Sequence, residues 1–422
     1  MTSFPVPIRE IGQTDVLELA CDPILIVRMA FIGLGKRGKE AFNNFMFIDG
    51  VQIVAICDLF LENTEVIQQV LVENDKEKAK VYFKLNDWRI ICESADINLI
   101  YVCTQRDLHS QIAVYAMQCG KHVVLEVPAA NTIEECWQLV DIAEKNRRHC
   151  MMLENCCYDS FQMTILNMVQ QSLFGELFHG EGAYIHDLRS LDFIQKPHYK
   201  NVWSMHGNPY PTHGLGPLCQ LFNIHRGDKL EWLTSVSSGQ FGCPSQTSSE
   251  KRKEFCLGNI NTTLIRTIKD KTIVLQHDIS SPRPYSRNFL VSGTEGFVEK
   301  RTIPKIYVSS SSNEFLTNEK TDKLLKEYEH PFFQKKGELA EKVGTHGGMN
   351  FIMDYRLIYC LQNGLPLDMD VYDAAEWSCI VELSAQSVKN GSIPVKIPDF
   401  TRGSWNKLKK LQFFYKRTNL LI

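Results

Sequence analysis

The stretch "VRMAFIGLGKRGKEAFNN", residues 27–44, decides the fold. A mostly apolar run ends in Gly33, Gly35 and Gly38, spaced G-x-G-x-x-G, and apolar residues then recur at helical spacing. A buried strand that turns through glycines into a helix opens a βαβ unit. Glycines there permit a tight turn and let backbone approach a pyrophosphate, which rests on the helix N-terminus.

The context around the turn carries the same message. "VQIVAICD" is a second buried strand, and Asp58 at its end lies about twenty residues beyond Gly38. A carboxylate there accepts bonds from ribose hydroxyls and repels a 2'-phosphate, which favours NAD over NADP. "INLIYVCT", "HVVLEVP" and "HCMMLEN" read as further strands, with helices between them. Short apolar strands alternating with helices predict a doubly wound parallel sheet of Rossmann type up to about residue 155. Ligands in such sheets bind beyond the carboxyl ends of the strands. Thr104 to His109, Glu126-Val127 and Glu154-Asn155 occupy those ends. Arg37 either touches the pyrophosphate or is a solvated helix residue, and Glu126 is either a site carboxylate or a solvated one.

After residue 155 the rhythm changes. A helix "DSFQMTILNMVQQSLFG" leads into "GEGAYIHDLR", and "LTSVSSGQF", "INTTLIRTIKD", "TIVLQHDIS", "NFLVSGTEGFVEK" and "KIYVS" follow as strands without intervening helices. Turn signals such as "KDK" and "GTEG" predict a mainly antiparallel sheet in an α+β domain. Two helices, "GGMNFIMDYRLIYCLQNG" and "VYDAAEWSCIVELSAQSVKNG", each stop at glycine. The expected organisation is an N-terminal tail 1–26, a nucleotide-binding domain 27–155, a second domain 156–405 and a C-terminal tail 406–422. In "NPYPTHGLGP", residues 208–217, prolines and glycines surround Tyr210 and His213. That company suits a loop entering a helix, where side chains can meet a ligand.

The chain has 422 residues, 44% hydrophobic and 23% charged, with a formal net charge of -3. Those values suit a soluble globular protein and leave no basic footprint for nucleic acid. Fourteen cysteines are scattered, several in apolar runs, with no pair of CxxC units at zinc spacing. They predict buried free thiols in a reducing compartment and no metal site. No run approaches transmembrane length, and the N-terminus lacks the basic and apolar regions of a secretory signal. The expectation is a cytoplasmic protein, with a trimmed export signal as the alternative.

The glycine motif, "GKHVVLEVP" and the later antiparallel sheet together resemble the Gfo/Idh/MocA oxidoreductases. Those enzymes carry Glu-Lys-Pro after the fourth strand, where the lysine assists hydride transfer. Here the residues are Glu126, Val127 and Pro128. The second half narrows the match. "EECWQLVDIAE", "LENCCY", "ILNMVQQSLFGELFHGEGAYIHDLR", "YPTHGLGP", "NIHRGD", "RPYSRNFLVSGTEG", "GTHGGMNFIMD" and "PLDMDVYDAAEWS" resemble glycoside hydrolase family 109, over roughly residues 27 to 405. That family uses NAD to cleave alpha-N-acetylgalactosaminides.

The resemblance implies dinucleotide contacts at Arg37, Gly38, Asp58, Arg106, Asp107, Leu108, His109, Glu126, Val127 and Asn155, beside Gly33, Gly35 and Thr104. It implies substrate contacts at Tyr184, at Tyr210, Pro211, Thr212 and His213, and at Tyr285. Tyr210 is expected to touch the nicotinamide as well. Two positions depart from the family. Its Trp-Glu-Trp-His is Arg106-Asp107-Leu108-His109 here, and its substrate arginine falls on His198 or Ser204.

The implied chemistry oxidises the sugar at C3, removes the C2 proton, expels the C1 group, adds water and reduces C3 again. His213 suits the first base, since imidazole titrates near neutral pH; otherwise it caps a helix. Tyr184 is the candidate at C2, although the strand pattern alone makes it a core tyrosine. Glu126 orients the ring or relays a proton, and His346 supports the site or caps a helix. The expected partners are a carbohydrate substrate and further copies of the same chain, with no nucleic acid. An NAD-dependent sugar or polyol dehydrogenase is the alternative activity, and a sugar-binding protein without turnover is a third.

Overall fold

The computed structural model describes residues 2–189, 202–241, 255–309, 314–344 and 347–415. The chain divides into two units. The first comprises Pro7–Asp159, Phe332–Ala375 and Gln412–Ile422, and the second Met1–Val6, Ser160–Pro331 and Glu376–Leu411.

The first unit opens with β1 (Val27–Ile32), α1 (Lys36–Phe45), β2 (Val51–Cys57) and α2 (Leu61–Glu73). It continues through β3 (Lys80–Tyr82), α3 (Asp87–Glu93), β4 (Leu99–Val102) and α4 (His109–Gln118) to β5 (His122–Leu125), α5 (Ile133–Asn146) and β6 (Cys150–Met152). The strands lie in the order β3-β2-β1-β4-β5-β6, and every neighbouring pair is parallel. β4 and β5 are buried throughout, as strands covered on both faces must be. The doubly wound sheet expected from the sequence is present. β3 and α3 were not anticipated, because three residues are too few to show a period.

Phe31 of β1 stacks on Tyr101 of β4 at 4.6 Å, and Phe42 and Phe45 of α1 close on Phe31 at 5.1 and 5.6 Å. This aromatic block seats α1 on the sheet and so fixes the glycine turn between them. α5 begins at a reciprocal cap: Glu135 N–H donates to the Thr132 hydroxyl, and the Glu135 carboxylate accepts from the Thr132 N–H.

The second unit holds α6 (Ser160–Gln170), β7 (Leu177–Ile185), α7 (Thr212–Leu221), β8 (Leu230–Ser237), β9 (Ile260–Thr267) and β10 (Thr272–Asp278). β11 (Phe289–Gly293), β12 (Gly296–Lys300), β13 (Pro304–Val308) and α8 (Asn318–Glu327) follow. Further along the chain come α9 (Pro331–Val343), α10 (Met349–Asn363), α11 (Val371–Lys389) and β14 (Val395–Lys396). The sheet order is β13-β12-β11-β7-β10-β9-β8-β14. Among the described strands of this sheet only β7 and β10 pair in parallel, so the sheet is mixed and mainly antiparallel. Its register sets Tyr184, His277, Asn261 and Ser237 in one transverse row across β7, β10, β9 and β8.

α10 belongs to the first unit, where it packs on α1, β1 and the turn Asn155–Tyr158. α8 and α9 were not anticipated. Their polar composition hides the apolar stripe, with Thr321 alone buried in α8 and Phe332, Phe333 and Ala340 in α9. His198 and His346 lie outside the described residues.

Candidate active site

The glycine-rich turn of the first unit follows from close packing at two of its three glycines. A Cβ on Gly33, whose φ is +95°, would stand 2.4 Å from the Cys103 carbonyl oxygen, and one on Gly38 2.3 Å from that of Gly33. Those two glycines are demanded by the protein itself. Gly35 is exposed, and a Cβ there would meet nothing within 4 Å. Its backbone is extended, φ -61° and ψ -170°, which any residue adopts. Nothing in the chain requires glycine at this position, so the clearance suits a ligand that lies against the backbone. α1 starts here with no side-chain cap, leaving its first N–H groups for an anion.

Asp58 closes the turn from β2. Its Oδ2 accepts the Leu34 N–H at 2.6 Å, and its Oδ1 accepts Phe60 N–H at 2.9 Å and Asn63 Nδ2 at 3.1 Å. Arg37, in the first turn of α1, donates from Nε to Glu126 Oε1 at 2.8 Å. The Tyr101 hydroxyl donates to the same oxygen at 3.1 Å. Glu126 is 9% exposed and Val127 3%, with Val127-Pro128 a cis peptide.

The segment after β4 divides. Asp107 and Leu108 are exposed, while Arg106 is buried and donates from Nε to Asn131 at 2.6 Å. His109 is fully buried, its two ring nitrogens facing the carbonyls of Pro128 at 2.9 Å and Thr104 at 3.1 Å. It ties together the two loops that carry Thr104 and Val127. Burial pushes this imidazole below its ordinary value, against the pull of those carbonyls. Asn155 donates to Asn350 of α10 at 2.7 Å. These residues follow the carboxyl ends of β1, β2, β4, β5 and β6 in the first unit; Tyr210, also assigned to the cofactor by sequence, belongs to the second.

In the second unit two glycines set the geometry. A Cβ on Gly182 of β7 would lie 2.2 Å from the Gly214 carbonyl oxygen, and one on Gly214 of α7 would lie 2.6 Å from the Ala183 nitrogen. Strand and helix therefore touch backbone to backbone. That contact brings Tyr184 of β7 beside His213 in the first turn of α7, with ring centroids 5.6 Å apart. Tyr210 completes the group, 4.7 Å from Tyr184 and 5.0 Å from His213. The loop is held from beneath: Asn208 N–H donates to Ser384 Oγ of α11 at 2.8 Å, and Asn208 Oδ1 accepts the Tyr210 N–H at 3.1 Å. Pro211 and Thr212 are buried under the helix start.

The Tyr184 hydroxyl and His186 Nδ1 share a hydrogen bond of 3.1 Å. Burial pushes His186 below its ordinary value, with Asp187 opposing, so the ring is neutral near pH 7. Asp187 is held below the usual carboxylate range, chiefly by hydrogen bonds from Arg189 at 2.7 Å. Tyr285, 51% exposed, lies 6.5 Å from Tyr184 and 5.4 Å from His186. His277, 1% exposed, lies nearly parallel to Tyr184 at 6.1 Å and was not singled out by sequence. Its alternation within "TIVLQHD" was the available signal, but the strand order that pairs it with Tyr184 was not legible. Trp203 is buried against Phe255 at 5.8 Å, and Ser204 beside it is exposed.

Comparison with known proteins gives a consistent picture. A family model described as the glycosyl hydrolase 109 C-terminal domain matches residues 158–407. One described as the oxidoreductase family NAD-binding Rossmann fold matches residues 27–154. The chain is 51% identical over 410 residues to glycosyl hydrolase family 109 protein 2 of Phocaeicola vulgatus, covering 94% of this chain and 99% of that one. It is 51% identical over 411 residues to an alpha-N-acetylgalactosaminidase of Bacteroides fragilis, covering 94% and 97%. Among solved structures, levoglucosan dehydrogenase in complex with NADH superposes with a TM-score of 0.68 at 18% identity, covering 88% and 99%, a likeness of fold.

Proposed function

The chain belongs to glycosyl hydrolase family 109, whose glycosidase chemistry is built on a nicotinamide-dinucleotide domain, and on that premise we propose that it is an NAD-dependent alpha-N-acetylgalactosaminidase. The observation that carries this reading is the pairing of Tyr184 with His213 at 5.6 Å, held by the Gly182–Gly214 contact. Two groups able to take protons, one from a sugar hydroxyl and one from the neighbouring carbon, stand side by side.

Gly33, Gly35, Gly38, Asp58 and Arg37 would hold the dinucleotide, which when bound supplies reversible hydride transfer at C3 of the sugar. The Asp58 carboxylate favours NAD, because a 2'-phosphate would meet its charge. His213 takes the proton of the C3 hydroxyl as that carbon is oxidised, a task suited to a base that titrates near neutral pH. A ketone at C3 acidifies the C2 proton. Tyr184 takes this second proton and passes its own to Nδ1 of neutral His186, so that a phenol with an ordinary pKa of about 10 need not stand ionised beforehand. The C1 group leaves as the C1–C2 double bond forms, water adds back across it, and the steps at C2 and C3 reverse. Tyr210 packs against both bases and orients the ring, and the exposed Tyr285 meets the sugar face.

The test is hydrolysis of nitrophenyl alpha-N-acetylgalactosaminide in deuterated water. Deuterium should enter C2 of the released sugar with no net reduced dinucleotide. Release of sugar without deuterium at C2 would overturn the mechanism. Stoichiometric reduced dinucleotide from a free sugar would instead make the protein a dehydrogenase, which Val127 at the lysine position argues against.

A further inference from the structure

The glycine-rich turn is backed by a charged cluster whose last member comes from far along the chain. Arg37 of α1 is paired with Glu126 at 2.8 Å. Asp354 of α10 lies fully buried in the same cluster, within electrostatic reach of both. Its Oδ2 accepts from Asn44 Nδ2 of α1 at 2.8 Å, while its Oδ1 is buried with no hydrogen-bond partner among the described residues. One guanidinium thus faces two carboxylates, and the second is bonded only by an amide. A buried carboxylate with an unmatched oxygen is costly when ionised and far less so when it carries a proton.

We propose that Asp354, buried behind α1 with one oxygen unpartnered, acts through its electrostatic interaction with Arg37 to couple dinucleotide binding to the uptake of a proton. The assignment rests on the dinucleotide reading above. The groups that face Asp354 are Arg37 and Asn44 from α1, Tyr101 of β4 with Cys103 just beyond it, and Glu126 after β5. Tyr101 and Cys103 are raised far above their ordinary values by burial and stay neutral. Burial, aided by Glu126, outweighs the pull of Asn44 and Arg37 and raises Asp354 to about 7.

The sign follows. A pyrophosphate at the turn adds negative charge and engages Arg37, so Asp354 holds its proton more tightly in the complex. Wherever the free protein has Asp354 partly ionised, at and above neutral pH, binding takes a proton from solution. Affinity therefore weakens as pH rises through that range, by at most about tenfold per pH unit for a single group.

Calorimetry of NAD added to the full-length chain, freed of copurified dinucleotide and measured slightly above neutral pH in buffers of different ionisation enthalpy, reads this directly. The wild type should show buffer-dependent heat from proton uptake. Asp354→Asn, which keeps the side-chain volume and the acceptor for Asn44, should bind NAD and lose the uptake. Binding with no uptake in the wild type, or unchanged uptake in Asp354→Asn, would overturn the proposal alone; absence of NAD binding by the wild type would overturn the cofactor assignment with it. Asn44→Ala, remote from the turn, provides a second variant should Asp354→Asn fail to fold. Removing the donor raises the carboxyl further, so uptake should move to higher pH, and an unmoved profile would count against Asp354.

Discussion

Tyr184 and His213 are judged by changes that remove the proton-accepting group of each. Tyr184→Phe keeps the ring contacts with Tyr210 and His213 and removes only the hydroxyl bonded to His186. Loss of a positioned proton acceptor costs about 10²–10⁴ in rate. Turnover of a nitrophenyl glycoside should fall by that range in Tyr184→Phe and in His213→Gln, and deuterium exchange at C2 should be lost in the tyrosine variant first. A second residue-scale test concerns stability. The rings of His122 and His149 lie 4.9 Å apart at a tilt of 38°, and burial lowers them to about 4 and about 3. An unfolded imidazole titrates near 6.5, so their contribution is complete above that pH and is lost as pH falls towards the folded values. Each group removes about 1.4 kcal/mol per pH unit in that window. His149→Phe keeps the backbone N–H that donates to His122 Nδ1 and should flatten the acid limb of urea midpoints measured between about pH 4 and 6.5.

At the scale of elements, the glycine pair between β7 and α7 carries the clearest test. Gly214→Ala sets a methyl 2.6 Å from the Ala183 nitrogen, so helix and strand must part. Overpacking of this kind costs roughly 1–3 kcal/mol. The variant should unfold at lower urea and also lose turnover, because α7 carries His213 away from Tyr184. The strands on either side of this contact were legible because apolar and polar residues alternate locally in "GEGAYIHDLR" and "TIVLQHDIS". Their neighbours in the sheet were not, since Tyr184 meets His277 only through the parallel pairing of β7 with β10. The glycine turn after β1 was legible in full, because its three glycines, its strand and its helix are contiguous. β3 was missed for its length, and α8 and α9 for their polar surfaces.

Over the whole molecule, buried charge shows how distant segments are joined. In the first unit Glu144 of α5 is buried and accepts two hydrogen bonds from Arg9, at 3.0 and 2.8 Å, one from Gln13 at 2.7 Å and one from Tyr372 at 2.6 Å. The N-terminal segment is thereby tied to the body of that unit. Arg9→Met removes the guanidinium while the carboxylate stays buried, and should cost about 2–3 kcal/mol, below the value for a fully buried pair because Arg9 is partly solvated. Urea unfolding of Arg9→Met beside Tyr372→Phe checks it. Residues 332–375 lie by sequence within the C-terminal stretch, yet they group with the parallel sheet and deliver Asp354 and Asn350 there. By itself the sequence determined the two kinds of sheet, the glycine turn with Asp58, and the loop that presents Tyr210 and His213, because each is written in residues a few positions apart. Only the tertiary structure decided that Gly182 meets Gly214, that His277 lies beside Tyr184 and that Asp354 bonds Asn44 of α1. Such contacts join residues tens to hundreds of positions apart, and packing between remote segments leaves no period in a sequence from which to read it.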